Sequence, residues 1–342
     1  MAKPQTTKNL KLLLMNLNKG KVKYMTKNYL NPEPSKKRAT REAFGETLLE
    51  LLEQGENIVA VDADLTGSTT LKKLKANHAD RLINVGIAEQ NMIDVAAGLS
   101  LTGAVAFTGS FAVFGTGRCY DQIRNTVCYS DLNVKVCPTH AGISVGPDGG
   151  SHQMLEDIAL MQVLPRMKVV VPSDFNSCKA ALKLVEKTEG PAYVRMGRAK
   201  VPQVYSEDVD LRLGGSHLIK EGTDVSIFAN GVEVNEAILA AEELNRSGIS
   251  AEVIDLYSVK PLDVDAVVNS AKKTGRVVVC EEHSIFGGLC SVVSQTLAHA
   301  CPCKCNFVAV KDHFGTSAEF DELLEAFGLN SSAIVEAARA LM

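Results

Sequence analysis

At 342 residues the chain has room for two domains of about 100–200 residues each, with cores that need no metal or disulfide staples. Hydrophobic residues make up 46% and charged residues 22%, ordinary for a globular protein, and no apolar run approaches the roughly 18 residues of a membrane span. Nine scattered cysteines without paired spacing read as reduced thiols and point to a cytoplasmic protein. Cys301, Cys303 and Cys305 are closer together but lack a second ligand pair at zinc spacing, so alternate positions along a strand edge explain them. The net charge of −4 is uneven: residues 1–37 carry nine lysines and one glutamate, a balance of +8, which leaves −12 for the rest. This basic leader is expected to be disordered. Its short apolar stretch Leu12-Leu13-Leu14-Met15 has no small-residue cleavage site after it, and Met25 offers a second start. Charge alone would suit a nucleic-acid arm, but no aromatic interleaving supports one, so no nucleic-acid or membrane partner is expected.

Apolar β-rich runs then alternate with helical patterns, which predicts parallel sheets built from βα units. Thr40 is placed to cap a helix through about residue 54, with Phe44, Leu48, Leu51 and Leu52 at near-helical spacing. Strands are predicted at 58–62, 81–85, 104–107, 134–137, 168–171 and 192–194, with helices near 89–101, 117–129, 154–163 and 174–187. The turn-rich segment 197–215, ending in Gly214-Gly215, reads as a linker. A second pattern follows, with strands at 225–229, 251–254, 277–280 and 307–310 and helices near 232–246, 288–299, 318–327 and 331–341. The predicted fold class is α/β: two doubly wound, mostly parallel-sheet domains over 38–196 and 216–342.

Three constellations carry chemistry. Glu89 lies in Val85-Gly86-Ile87-Ala88-Glu89-Gln90, after an apolar run and at the start of an apolar helix. Burial there disfavours the charged carboxylate, which suits a group that hands over a proton in a dry site. Alone, it reads more readily as an acid favoured by a helix N-terminus. The second is the loop from Thr139 to Gln153, which holds four glycines, a proline, His140, Asp148 and His152 between a strand and a helix. Such a loop sits at the carboxyl edge of a parallel sheet, where these folds bind ligands. Its two histidines and aspartate suit proton transfer and the gripping of hydroxyl or enolate-like oxygens. The third set, Arg41, Ser68 and Arg198, is unremarkable residue by residue and is drawn together only by the family resemblance that follows; guanidinium forks and a hydroxyl suit a phosphate.

The stretch from Ala39 to Asp174 resembles the pyrimidine-binding domain of transketolase, and residues 215–342 resemble the C-terminal domain of that family. The most specific parts are Gly-Ile-Ala-Glu-Gln at 86–90 and the spacing of His140, Asp148 and His152; a looser one is Glu281-Glu282-His283 before Gly287-Gly288. The resemblance implies thiamine diphosphate as cofactor. That coenzyme requires one protonatable carboxyl group at its aminopyrimidine and aromatic faces around the ring. On this likeness Glu89 activates the cofactor, Phe111 and Phe114 flank the pyrimidine, and Asp64 lies near the cofactor or acts as a turn former. His152 and His140 contact the donor's carbonyl and hydroxyl groups, Asp148 recognises a hydroxyl's configuration, and Arg41, Ser68 and Arg198 hold phosphate.

Three departures matter. Gly115-Thr116-Gly117-Arg118 is more glycine-rich than the family pattern, so a further aromatic at the cofactor is lost or displaced. Gly150 stands where proline is common, which is expected to loosen the loop. The chain also contains no Gly-Asp-Gly triplet, the family's mark of the diphosphate and metal site. The resemblance therefore implies the C-terminal section of a split transketolase, which transfers a two-carbon ketol unit between sugar phosphates. A partner N-terminal subunit would carry the diphosphate-binding domain and the Mg2+ or Ca2+, and this chain would homodimerise within a heterotetramer. The alternatives are a 2-oxoacid dehydrogenase β-subunit, a relative of deoxyxylulose-phosphate synthase, and a non-catalytic scaffold.

Overall fold

The computed structural model describes residues 30–31 and 36–342, so most of the leader read over 1–37 lies outside the described residues. In chain order, β1 (Lys37–Ala39) leads into α1 (Thr40–Glu53), then β2 (Ile58–Asp62), β3 (Leu82–Asn84), α2 (Glu89–Ser100) and β4 (Val105–Gly109). A helical stretch with two wide π segments, Val113–Arg118 and Ile123–Tyr129, precedes β5 (Val134–Val136). Next come α3 (Asp157–Gln162), β6 (Lys168–Val170), α4 (Phe175–Glu186), β7 (Ala192–Val194) and β8 (Lys200–Pro202). The second half runs β9 (His217–Lys220), β10 (Val225–Ala229), α5 (Glu233–Arg246), β11 (Ala251–Asp255), β12 (Ser258–Lys260) and α6 (Val264–Thr274). It closes with β13 (Arg276–Ser284), α7 (Leu289–Ala300), β14 (Lys304–Val310), α8 (Phe320–Phe327) and α9 (Ser331–Arg339).

The first sheet has the order β12-β6-β7-β5-β4-β2-β3, and all its neighbours are parallel except β12 on β6. The second has the order β14-β13-β10-β11-β9, parallel except for β9 on the edge. Both are doubly wound α/β layers. Their central strands are buried along their whole length, as in Ile58–Asp62 and Val225–Ala229, because helices cover both faces. Strand β12 belongs by sequence to the second half but pairs with the first sheet. Val171, Phe228, Ile254 and Val259 then join one apolar cluster, so the two halves share a core. No helix among the described residues is long and apolar enough to cross a membrane.

The sequence reading missed β1, β8, β9, β12 and α6. Helix α6 carried a legible start, since Asp263 Oδ1 accepts the Ala266 N–H at 3.1 Å, and a legible stop in left-handed Gly275. The segment read as a linker is packed: β8 pairs antiparallel with β1, and Val201, Val204, Tyr205, Val209 and Leu211 are buried. Thr40 does not cap α1; Ala39 occupies the cap position without a side-chain bond. The Thr40 hydroxyl instead accepts the Gly197 N–H at 2.8 Å, clasping the start of α1 to the segment after β7.

At the carboxyl end of β11, Asp255 is fully buried and accepts the hydroxyls of Ser173 at 2.5 Å and Tyr205 at 2.7 Å. Burial pushes its carboxyl up to about 7. The folded state therefore holds a proton that the unfolded chain releases near pH ~4. The contribution is complete below that pH and is lost as pH rises through about 7. Asp255→Asn should flatten this decline, so the stability lost between pH 5 and pH 8 in denaturant titrations should be smaller than in the wild type.

Candidate functional site

The loops that follow β2, β4, β5 and β7 gather at the carboxyl edge of the first sheet, and α2 starts there at Glu89. Glu89 is 2% exposed. The expected apolar surroundings are only part of its environment, because the Arg118 guanidinium donates to Glu89 Oε2 at 2.8 Å. Arg118 reaches it from the wide turn Val113–Arg118, a geometry that inserts an extra residue into a helix and re-aims side chains. The same guanidinium lies 4.4 Å from the centroid of the Phe114 ring. An arginine thus stands in the region where the sequence suggested a displaced aromatic.

From Phe114 the aromatic contacts run inward. Phe111 and Phe114 stack at 6.1 Å with 16° between planes, and Phe111 lies against His140 at 3.8 Å and 24°. His152 meets Phe114 edge-on at 5.5 Å and Phe111 at 6.3 Å. Glu89, Arg118, both phenylalanines and both histidines therefore form one contiguous group. His140 is buried with φ at +61°, and its Nδ1 lies 2.7 Å from the Thr139 hydroxyl. Burial, then the positive field of Arg41 and Arg198, pushes its pKa down to about 3, so the ring is neutral near pH 7. His152 is half-buried, with Nδ1 3.0 Å from Ser151 Oγ.

Arg41 and Arg198 meet at a separate cavity of about 210 Å3, lined also by Ser144, Gly146, Lys200 and Glu319. The Thr40–Gly197 clasp brings them together, since each arginine is the next residue along its own segment. Arg41 Nη1 donates to Ser68 O at 3.1 Å, while its Nε is buried without a partner. Burial and the neighbouring Arg198 charge lower the Arg41 pKa. Arg198 Nη1 donates to Val145 O at 2.6 Å. Ser68 contributes its backbone carbonyl here, and Asp148 is exposed on the adjoining loop, close enough for its charge to act on Arg41. Asp64 is an exposed turn residue with φ at +62°, accepting the Asn84 amide at 3.1 Å. This geometry fits its reading as a turn former. Sequence reasoning missed Arg118, for which no local signal exists, and Lys200, two residues beyond Arg198 on a strand taken for linker.

The loop is tied down rather than loosened. A Cβ on Gly150 would fall 2.5 Å from Gly315 O, so glycine there permits close packing against the second half. Gln153 Nε2 donates to Ile143 O at 3.0 Å and Thr316 O at 2.9 Å.

The class defined by this fold is a two-sheet α/β protein whose first sheet gathers an acid, two aromatic rings and two histidines at its carboxyl edge. Residues 36–203 match the family model "Transketolase, pyrimidine binding domain", and residues 214–334 match "Transketolase, C-terminal domain". The chain belongs to the transketolase family. It is 42% identical over 299 residues to a protein of Methanocaldococcus jannaschii described as a transketolase C-terminal section, covering 86% of this chain and 94% of that protein. It is 42% identical over 298 residues to a 6-deoxy-6-sulfo-D-fructose transketolase subunit of Clostridium sp. (strain MSTE9), covering 87% and 92%. A solved split-gene transketolase, described as an inactive β4 tetramer, superposes with a TM-score of 0.82 at 44% identity, covering 89% of this chain and 97% of that one. These relatives are matched over nearly their whole length.

A neutral His140 has a direct check. Its ring proton resonances should not titrate between pH 5 and pH 8, whereas a histidine near its ordinary pKa shifts across that range.

Proposed function

We propose that this chain is the cofactor-activating subunit of a two-component, thiamine diphosphate-dependent transketolase that transfers a two-carbon ketol unit between sugar phosphates. The observation that carries the reading is the convergence of Glu89, the Phe111–Phe114 pair and the two histidines on one edge, beside a cavity holding Arg41 and Arg198. The donor set fits the pyrimidine half of the coenzyme: one buried acid and two aromatic rings. When bound, thiamine diphosphate supplies a nucleophilic carbon that accepts the ketol unit. Glu89 would exchange a proton with the pyrimidine at Oε1, the oxygen that Arg118 does not bond, while the Arg118 guanidinium holds Oε2. Phe111 and Phe114 would hold the ring and exclude water. Neutral His140 can donate or accept a hydrogen bond at a ketose oxygen, His152 can exchange a proton at the donor's carbonyl side, and Asp148 would select a hydroxyl. Arg41 and Arg198 would grip the terminal phosphate, with Ser68 steadying Arg41 through its carbonyl.

The diphosphate and its Mg2+ or Ca2+ are assigned to an N-terminal partner subunit, because the sequence contains no Gly-Asp-Gly triplet. The relatives described as C-terminal sections and split-gene products support such a partner. The β4 description of one of them supports self-association of this subunit, and its homodimer within a heterotetramer is part of the same proposal. A cytoplasmic location is part of the same proposal and rests on nine free cysteines. The sulfofructose relative favours a second substrate, since two arginines and a lysine also accept a tetrahedral sulfonate.

The test is reconstitution with the partner subunit, thiamine diphosphate and Mg2+, offering a ketose phosphate, a 6-sulfonated ketose and pyruvate as donors. Ketol transfer from a sugar is expected; turnover of pyruvate alone would move the chain to the 2-oxoacid dehydrogenase class. Glu89→Ala should abolish turnover of the assembled enzyme with circular dichroism and melting unchanged, and wild-type rates would end the mechanism. Arg41→Ala and Arg198→Ala should each raise KM for a phosphorylated donor about 10-fold or more, with kcat little changed, as expected for lost charge-assisted bonds.

A further inference from the structure

We infer that Glu282, in the second half of the chain, is a positioning residue for the anion cavity: it fixes the loop segment that aims Arg198. Glu282 lies near the end of β13 and is buried, and its Oε1 accepts the Ser144 N–H at 2.5 Å. The next residue, Val145, supplies the carbonyl that holds Arg198 Nη1 at 2.6 Å. Ser144 and Gly146 themselves line the cavity with Arg41 and Arg198. One acceptor therefore sets the height of the loop, and the loop sets the direction of the guanidinium. The approach is close enough to dictate sequence, because a Cβ on Gly142 would lie 2.3 Å from the Glu282 carboxylate. Arg195 fixes Glu282 in turn, donating Nη2 to Glu282 O at 2.9 Å with Nη1 3.5 Å from Oε2. The second half touches the same loop elsewhere: Ser317 Oγ donates to Pro147 O at 2.6 Å, and Glu319 and Phe320 form the facing wall of the cavity. Removing the Glu282 acceptor strands a buried N–H and frees the segment 143–145 to turn away. The identity of the anion as a sugar phosphate rests on the proposed transketolase reading; the mechanical link does not.

The test compares Glu282→Ala with Glu282→Gln, whose Oε1 can still accept from Ser144. On the chain itself, Glu282→Ala should speed exchange of the Ser144 amide and weaken inorganic phosphate binding about 10-fold, because small displacements of a gripping group are costly. Glu282→Gln should stay within about 3-fold of wild type, as expected if the neutral acceptor suffices. In the assembled enzyme, Glu282→Ala should raise KM for a phosphorylated donor while KM for hydroxypyruvate, which has no phosphate, stays the same. Unchanged phosphate affinity, or equal rises for both donors, overturns the inference. If wild type turns over neither donor, the transketolase reading fails while the phosphate titration still judges Glu282. Should Glu282→Ala not fold, Glu282→Asp carries the test: its shorter side chain keeps a carboxylate beside Arg195 but withdraws the acceptor from the Ser144 N–H. Weaker phosphate binding, by about 3-fold or more, is then expected, and unaltered affinity refutes the link.

Discussion

A single buried guanidinium governs how the two halves meet beside the carboxyl edge of the first sheet. Arg195, just past β7, bonds Asp157 through Nε at 2.7 Å and Nη2 at 3.3 Å, and reaches across to the Glu282 carbonyl and carboxylate. Burial alone would lower its pKa; the charges of Asp157 and Glu282 outweigh that and raise it. Burial also acts on Asp157, where the arginine wins and holds the carboxylate below its usual range. Glu282 has the arginine at longer range, and there burial wins and pushes its carboxyl up. Buried charge networks of this kind add little net stability over apolar packing, yet losing one member costs about 3–5 kcal/mol because the others are stranded. What the network supplies is register: Glu282 can meet Ser144 only when both halves are in place.

From that anchor the site is graded in charge. At one end Arg41, Arg198 and Lys200 line a small cavity, and the positive field of the two arginines adds to burial in keeping His140 neutral. In the middle, stacked rings and an uncharged imidazole form a low-polarity lining. At the far end a buried carboxylate pairs with Arg118. Cationic groups therefore stand at both ends of the aromatic lining, in the cavity at one end and paired with Glu89 at the other.

Much of this could be read from residues in order. The parallel strands announced themselves as unbroken apolar runs, because strands covered on both faces need no polar alternation. Glu89 and the loop histidines stood out in their local motifs and the two phenylalanines through the family resemblance, and the structure brings them into one group. The failures are equally specific. Thr40 has the chemistry of a cap but is used for a long-range clasp to Gly197, a choice no local window can rank. Segment 197–215 has turn composition, yet it packs because β8 pairs with β1, about 160 residues earlier, and Tyr205 bonds Asp255, 50 residues later. Helix α6 was legible and overlooked.

The sequence by itself determined the two α/β layers, the acid at the start of α2 and the polar loop after β5, since periodicity and glycine placement act over a few residues. Only the tertiary structure decided that Arg118 sits on Glu89, that Arg41 and Arg198 share a cavity, and that Glu282 holds the loop between them. Those pairings join residues 29 to 157 or so positions apart, where the energy of contact depends on how whole sheets dock and leaves no periodic trace in the chain.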